Sequence, residues 1–292
     1  MRVESGVEVG RLTTLGAGGA ARAFARPSTV HEVEQALAWA REGGLPVAVL
    51  GLGSNLLVAD EGVDALVLKL DGQLAAVEVR GELLAAGGGA SNAVCLHRAR
   101  GAGLGGFEFA CAIPGTAGGG VSMNAGAYDG DWAKVLLRAL IVDEEGARWV
   151  GVSDLGLAYR RSGVQPGQVV AAVEFKLAPR PPELIKERIA ELQRLRKAAQ
   201  PTNRRTFGSV FKNPDHALSA GRMLEACGLK GYRIGGAQIS PRHANFIENA
   251  GNASAADAIG LMAEARRRAR EQYGVELEHE VRFLGPLELP PL

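Results

Sequence analysis

Apolar residues recur along this chain as short runs in some stretches and at helical spacing in others. A run of four to eight apolar residues bounded by glycine or polar residues is typical of a buried strand. We predict such strands at 45–50, 65–70, 135–143, 147–152 and 169–177, and a hairpin over 75–89. Alternation of apolar and charged residues over Val275–Gly285 predicts a terminal strand, whereas the polar segment Thr202–Pro214 is predicted to be a loop.

Helices are predicted where apolar residues repeat every three to four positions. Serine or threonine just before such a repeat can cap the first turn, and a glycine after it can end the last turn. Four predicted helices start at such caps, namely Ser28 or Thr29, Ser91, Ser219, and Ser254 with Asp257. A fifth follows the proline-rich segment 179–182 and is predicted to carry Ile185, Ile189, Leu192 and Leu195 on one face, which should pack against the core.

Composition limits the number of domains, the partners and the kinds of site that we expect. At 292 residues the chain is long for one hydrophobic core, so two domains are expected. Its net charge of +1 gives no reason to expect a nucleic acid or an acidic membrane as partner. Three scattered cysteines, no signal-peptide pattern at the start and no apolar run of membrane-spanning length predict a soluble cytoplasmic protein. The five histidines show no metal-ligand spacing, so no metal site is predicted.

Forty glycines are the strongest compositional departure, and two of the stretches that contain them are candidates for binding a ligand. Residues 111–128 read CAIPGTAGGGVSMNAGAY, and residues 51–58 read GLGSNLLV. Glycine lets the backbone lie against a ligand and expose successive N–H groups to an anion, although a buried turned connection is the ordinary alternative. The literal G-x-G-x-x-G at Gly101 follows a predicted helix, so we interpret it as a helix terminator, and no Gly-Lys pair supports a P-loop.

Three residues are candidates for chemistry, and each has an ordinary structural alternative. Arg160 can clamp a carboxylate or phosphate, but a surface salt bridge would also explain it. Ser209 lies between a glycine and apolar residues, outside any nucleophile elbow, and could simply cap a turn. Glu280 lies in an acidic run that would decorate an exposed edge.

Taken together, these stretches resemble the UDP-N-acetylenolpyruvoylglucosamine reductase family almost from end to end. The resemblance is carried by TTLGAGGAA, GLGSNLLV, AIPGTAGGGVSMNAGAY, YRRS, GSVFKNP, GLKG, GGAQIS with HANFI, and LEHEVRFLG. The short spacing from YRRS to GSVFKNP, with no tyrosine between them, is similar to the compact subtype that lacks a substrate-capping tyrosine loop. The sequence GVQPGQ after Ser162 departs from the aromatic and basic continuation of many relatives.

The resemblance implies an α+β fold and a flavoenzyme. The implied protein has an FAD-binding domain of the vanillyl-alcohol-oxidase type at 1–178, made of two subdomains at about 1–60 and 61–178. An α+β substrate-binding domain follows at 179–292. The implied reaction uses FAD and NADPH to reduce UDP-N-acetylglucosamine enolpyruvate to UDP-N-acetylmuramate for peptidoglycan synthesis. Ser209 is then the proton donor, and Arg160 and Glu280 stabilise the intermediate.

The resemblance also implies two sets of binding residues. Backbone and side-chain contacts to FAD are expected from Gly51, Gly53, Ser54, Asn55, Leu56, Pro114, Gly115, Thr116, Gly118, Gly119 and Asn124. Contacts to the UDP-sugar are expected from Lys212, Asn213, Lys230, His243 and Arg196, with Lys197 as an alternative to Arg196. Two rival hypotheses remain: a flavin oxidoreductase of the same fold that acts on a sugar or alcohol, and an inactive flavin- or nucleotide-binding protein.

Overall fold

The computed structural model describes residues 1–292 and contains six α-helices and nineteen strands. The helices are α1 (Val30–Glu42), α2 (Asn92–Gly101), α3 (Ala117–Met123), α4 (Pro182–Ala199), α5 (Ala220–Ala226) and α6 (Ala255–Tyr273). The first ten strands are β1 (Val3–Glu4), β2 (Ala21–Ala25), β3 (Val47–Val49), β4 (Leu56–Val58), β5 (Val63–Leu68), β6 (Val77–Arg80), β7 (Leu83–Gly87), β8 (Leu104–Gly105), β9 (Gly126–Ala127) and β10 (Gly130–Asp131). The others are β11 (Leu136–Asp143), β12 (Gly146–Gly151), β13 (Val169–Lys176), β14 (Ala178–Pro179), β15 (Thr206–Ser209), β16 (Arg233–Ile234), β17 (Ala237–Ile239), β18 (Phe246–Asn249) and β19 (Arg282–Leu284). None of the helices combines the length and apolar character needed to cross a membrane.

The chain divides into two compact units. Unit 1 consists of Met1–Ser5, Ala23–Leu52 and Ala65–Arg196, and unit 2 of Gly6–Arg22, Gly53–Asp64 and Lys197–Leu292. Two early segments of the chain therefore belong to the unit that contains the C-terminus. The sequence predicted an FAD-binding domain at 1–178 and a substrate-binding domain at 179–292. This division stays a prediction.

Unit 1 is built on two sheets with helix α1 packed against them, and their strand pairs include both antiparallel pairs and the parallel pair β3 and β5. Its five-stranded sheet has the order β12-β11-β13-β7-β6, and a second sheet has the order β1-β2-β5-β3. Val33, Ala36 and Leu37 of α1 lie in one buried cluster with residues of both sheets. A separate cluster is centred on aromatic rings in edge-on contact, those of Phe107, Phe109, Trp132 and Phe175.

Unit 2 has a four-stranded antiparallel sheet, β15-β18-β17-β16, with helices α5 and α6 contributing to its core. The early segments add both core and sheet to it. Leu15 and Leu57 are buried among residues of α5 and α6, and β4 pairs in parallel with β19. Because β19 has no other strand partner, the last strand of the chain depends on residues 56–58.

Helix starts follow the sequence prediction. Thr29, Ser91, Ser219 and Ser254 each accept a backbone N–H at the N-terminus of their helix, and Asp257 completes the capping box. The interpretation of Gly101 as a helix terminator is confirmed, since α2 ends there and Gly103 follows with a positive φ of 68°.

Other predictions of local structure were wrong. The segment 111–128, whose glycines are typical of a turned loop, contains α3 and β9, and residues 202–214, predicted to be a loop, contain β15. Only Arg282–Leu284 of the predicted strand 275–285 is a strand, although Leu277 and Val281 are buried as the alternation predicted. Leu195, predicted to be buried, is 42% exposed.

The turn between β11 and β12 gives a stability prediction. Asp143 accepts hydrogen bonds from Arg148 (2.7 Å), Gln168 (2.8 Å) and the backbone N–H of Glu145 (3.1 Å). The Arg148 bond is the main cause that lowers the pKa of Asp143 from 3.8 to about 2. A carboxyl group whose pKa is lower in the folded protein stabilises the fold at pH values above its pKa in the unfolded chain. This stabilisation is lost as the pH falls through its pKa in the folded protein.

We therefore expect Asp143→Asn to lower the thermal midpoint at pH 7, with the difference from the parent protein vanishing between about pH 4 and pH 2. Thermal unfolding followed by circular dichroism over this range measures it. Asp64→Asn is the matched control, because Asp64 pairs with Arg22 through side chains that are 78% and 61% exposed. A difference for Asp143→Asn that persists unchanged down to pH 2 would contradict the prediction.

Candidate active site

Ser209 and Glu280 lie on neighbouring segments of unit 2. Ser209 is the last residue of β15, and the carbonyl of the next residue, Val210, accepts the N–H of Glu280 at 2.7 Å. The pairing continues, since Phe211 bridges His279 and the N–H of Lys212 donates to the Glu278 carbonyl at 2.9 Å. Both Ser209 and Glu280 are half-buried. The structure thus brings together two residues that are 71 positions apart in the sequence.

Asn55 also holds the Glu280 segment. Its side-chain amide donates to the Glu280 carbonyl at 3.1 Å, and its own carbonyl accepts the N–H of Arg282 at 3.0 Å. Asn55 was predicted to contact FAD, a role that stays a prediction. What the structure adds is a link from the GLGSNLLV stretch to the terminal segment, within unit 2.

Arg160 belongs to unit 1 and has a strained backbone. Its φ is +54°, which is uncommon for a residue with a side chain, and it sits in the tight turn closed by Ala158 and Arg161. Its guanidinium donates to the Gly126 carbonyl at 2.7 Å. The Asn124 amide donates to the Ala158 carbonyl at 3.1 Å and supports the turn. The two hydrogen bonds hold Arg160 in a strained backbone conformation. Strain of this kind is typical of functional sites, where it fixes the orientation of a side chain.

Gly51, the first residue of the 51–58 stretch, meets the 111–128 stretch within unit 1. A Cβ on Gly51 would lie 2.6 Å from the Thr116 hydroxyl oxygen, so the close approach of these two segments requires glycine. A Cβ on Gly118 would lie 2.9 Å from the carbonyl oxygens of Gly88 and Val170. These glycines are therefore needed for packing, as the ordinary alternative held, and within residues 114–119 only Pro114 and Gly119 are exposed.

The N–H groups of this stretch are partly used within the protein. Those of Ala117, Gly118, Gly119 and Gly120 donate to Ala90, Gly88 and the hydroxyl and carbonyl oxygens of Thr116. Because Pro114 has no N–H, any backbone donors that 114–120 offers to an anion come from Gly115 and Thr116. Gly115 has a φ of +156°, and Pro114 beside it is exposed.

Sequence reasoning missed a cation at this place. The Lys69 ammonium donates to the Gly51 carbonyl at 2.6 Å. Burial lowers the pKa of Lys69, and the Arg26 charge acts in the same direction. The Lys69 ammonium thus lies at the start of the 51–58 stretch. The only signal in the sequence was a lysine near the end of the otherwise apolar predicted strand 65–70.

The predicted substrate residues are spread over both units. Lys212 pairs with Glu278, and Lys230 pairs with Glu225. The Asn213 side chain accepts the N–H of Ala220 at 3.2 Å. Burial, with help from the Lys230 charge, lowers the pKa of His243. Arg196 lies in unit 1 and donates to the Cys111 carbonyl at 3.4 Å.

Two family models match the chain. Residues 21–150 match a model described as "FAD binding domain", and residues 200–284 match "UDP-N-acetylenolpyruvoylglucosamine reductase, C-terminal domain". An FAD-binding domain followed by a reductase domain defines a flavoprotein oxidoreductase with an α+β fold, as predicted.

Relatives extend the match to nearly the whole chain. The UDP-N-acetylenolpyruvoylglucosamine reductase of Rubrobacter xylanophilus is 45% identical over 94% of this chain and 93% of its own length. Reductase 2 of Symbiobacterium thermophilum is 42% identical over 97% and 92%. A crystal structure of the Thermus caldophilus enzyme superposes with a TM-score of 0.85 at 39% identity, over 97% of this chain and 99% of that one. The chain belongs to the UDP-N-acetylenolpyruvoylglucosamine reductase family, and the predicted family is confirmed.

Proposed function

We propose that this protein reduces UDP-N-acetylglucosamine enolpyruvate to UDP-N-acetylmuramate with NADPH, a step in peptidoglycan precursor synthesis. The observation that carries the proposal is the pairing of the Ser209 and Glu280 segments in unit 2. The names of relatives at 40–45% identity support the substrate class. Because both substrates are water-soluble nucleotides, we place the reaction in the cytoplasm.

The proposed chemistry adds a hydride and a proton across the enol double bond. Bound FAD would supply the hydride chemistry, with NADPH as the source of the hydride and the terminal carbon of the enolpyruvyl group as its acceptor. Ser209 donates its hydroxyl proton to the neighbouring carbon, which becomes basic as negative charge moves into the carboxylate. The Arg160 guanidinium neutralises that carboxylate through two parallel hydrogen bonds, and a protonated Glu280 carboxyl donates a hydrogen bond to it.

The FAD pyrophosphate needs backbone donors and positive charge. We assign the donors to Gly115 and Thr116, and we assign the charge to Lys69, whose ammonium already lies at Gly51. The further contacts proposed for FAD are Gly51, Gly53, Ser54, Asn55, Leu56, Pro114, Gly118, Gly119 and Asn124. The hydrogen bond from Lys69 to the Gly51 carbonyl and the close approach of Gly51 to Thr116 support this part of the proposal, since they bring the cation and the two stretches together.

The UDP diphosphate needs cations on the substrate side. Lys212 and Lys230 both pair with single carboxylates, and a diphosphate carries more charge than either of them. We propose that the diphosphate takes over these ammonium groups, with Asn213, His243 and Arg196 completing the contacts. Lys69 and the paired lysines would then serve different phosphates, those of the cofactor and those of the substrate.

An anaerobic spectroscopic experiment tests the proposed function. The purified protein should be yellow, and NADPH should bleach its flavin absorbance. Addition of UDP-N-acetylglucosamine enolpyruvate should then restore the oxidised spectrum, whereas UDP-N-acetylglucosamine, which lacks the enolpyruvyl group, should not. Bleaching without restoration would favour an oxidoreductase with another substrate, and a flavin that NADPH fails to bleach would favour an inactive binding protein.

A further inference from the structure

Asn245 is a buried polar residue that no role discussed so far requires. It is 5% exposed and lies directly before β18. Its side-chain oxygen accepts the N–H of Phe211 at 2.9 Å, and its side-chain nitrogen donates to the Phe211 carbonyl at 2.8 Å. Its own backbone carbonyl accepts the N–H of Val210 at 2.9 Å. Three hydrogen bonds thus join one residue to the two that follow Ser209.

These bonds replace a strand pairing that has ended. The pairing of β15 with β18 is irregular between Thr206 and Ser209, and Ser209 lies opposite Phe246 at its end. Gly208, with a φ of +83°, makes the bend that precedes Ser209. Beyond Ser209 the backbone groups of Phe211 have no strand of β18 opposite them, and the Asn245 amide pairs with them in place of a strand.

The same short segment is held from its other edge. The Val210 carbonyl accepts the Glu280 N–H at 2.7 Å, and Phe211 bridges His279. Residues 210–211 therefore lie between Asn245 on one side and the Glu280 segment on the other. The side chains of Val210 and Phe211 are buried, which removes the freedom to rotate that a loop would retain.

We propose that Asn245 is a positioning residue that fixes the Ser209 hydroxyl relative to Glu280 for proton delivery, an inference that rests on the proposed function. It acts through the backbone of residues 210–211 and touches no substrate. A displacement of about 1 Å at a reacting group can lower a rate on the order of 10²-fold. The Asn245 amide limits such displacement.

Only an amide of this length satisfies both groups of Phe211. Asparagine offers a donor and an acceptor on one short side chain. Aspartate would keep the acceptor for the Phe211 N–H but would place an oxygen against the Phe211 carbonyl. An apolar residue would leave both buried groups without a partner, which is costly.

Asn249 at the far end of β18 provides a matched control. Its side-chain oxygen accepts the N–H groups of Gly251 and Ala253 at 3.1 Å each, and its nitrogen donates to the Leu15 carbonyl at 3.0 Å. Asn249→Asp therefore makes the same chemical change in the same unit, again setting an oxygen against a backbone carbonyl. It does so away from the Ser209 segment.

The test compares Asn245→Asp with Asn249→Asp in the FAD-loaded enzyme by anaerobic stopped flow. For Asn245→Asp we expect flavin reduction by NADPH to be unchanged and reoxidation by substrate to slow by at least about tenfold, with a larger solvent deuterium isotope effect. For Asn249→Asp we expect reoxidation within about twofold of the parent protein, whatever its thermal midpoint.

Equal reoxidation rates in the two variants would overturn the inference while leaving the proposed function intact. Failure of substrate to reoxidise the parent protein would instead overturn the proposed function. If Asn245→Asp does not retain FAD, Asn245→Gln replaces it, because glutamine keeps the amide and displaces it by one carbon. Unchanged reoxidation in that variant would equally count against a positioning role.

Discussion

Ser209→Ala is expected to leave flavin reduction by NADPH intact and to slow flavin reoxidation by substrate by about 10²- to 10⁴-fold. The proposed role of Ser209 is confined to the second half-reaction, in which its hydroxyl supplies the proton, and general acid catalysis typically contributes a factor of this size. The substitution should not disturb the fold, because it removes one oxygen from a half-buried residue at the end of β15. Anaerobic stopped-flow spectroscopy measures the two half-reactions separately.

Ser254→Ala is the control for that experiment. Ser254 caps α6, so its loss should lower stability by about 1 kcal/mol without changing either half-reaction. A parallel fall of both half-reactions in Ser209→Ala would show that the substitution harms FAD binding or folding, and the assignment of Ser209 as proton donor would be wrong.

Arg160→Lys is expected to slow reoxidation by about 10²- to 10³-fold, the cost of losing one preorganised donor to a developing charge. Lysine keeps the positive charge but has no planar fork, so it cannot make two parallel hydrogen bonds to a carboxylate. It would also lose the directed bond to the Gly126 carbonyl that orients Arg160. The measurement is again the reoxidation rate, with the rate of reduction by NADPH recorded beside it.

The neighbouring Arg161 offers a matched control. Arg161 is exposed, and Arg161→Lys makes the same chemical change one residue away. We expect it to reoxidise at the rate of the parent protein. Turnover of Arg160→Lys at the parent rate would mean that charge alone is sufficient, and the proposed carboxylate fork would have to be abandoned.

Features fixed by nearby residues could be predicted from the sequence. The caps at Thr29, Ser91 and Ser254 depend on residues three positions away, so the sequence contains both partners side by side. Helix α3 could not be predicted, because its glycines disfavour a helix. It is held instead by distant packing, since a Cβ on Gly120 would lie 2.2 Å from the Trp132 ring.

The same limit applies to the candidate site. Sequence motifs pointed to Ser209, Glu280 and Arg160. The pairing of the Ser209 and Glu280 segments could not be predicted, because it depends on a contact between residues far apart in the sequence. Asn245 was missed because its partner lies 34 residues earlier in the sequence. Asn55 was predicted to contact a ligand, while its link to the Glu280 carbonyl spans 225 residues. Long-range hydrogen bonds of this kind leave no periodic signal.

The path of the chain has a consequence for how such an enzyme can be taken apart. Because 6–22 and 53–64 belong to unit 2, the chain passes from one unit to the other five times. No single cut yields two independent folding modules, since a fragment starting at Lys197 would lack β4, the only strand partner of β19, and Leu15 and Leu57 of its core. During synthesis, segments 6–22 and 53–64 cannot fold into unit 2 until about the last ninety residues have left the ribosome. Recombination between relatives would likewise have to exchange this gene in nearly its full length.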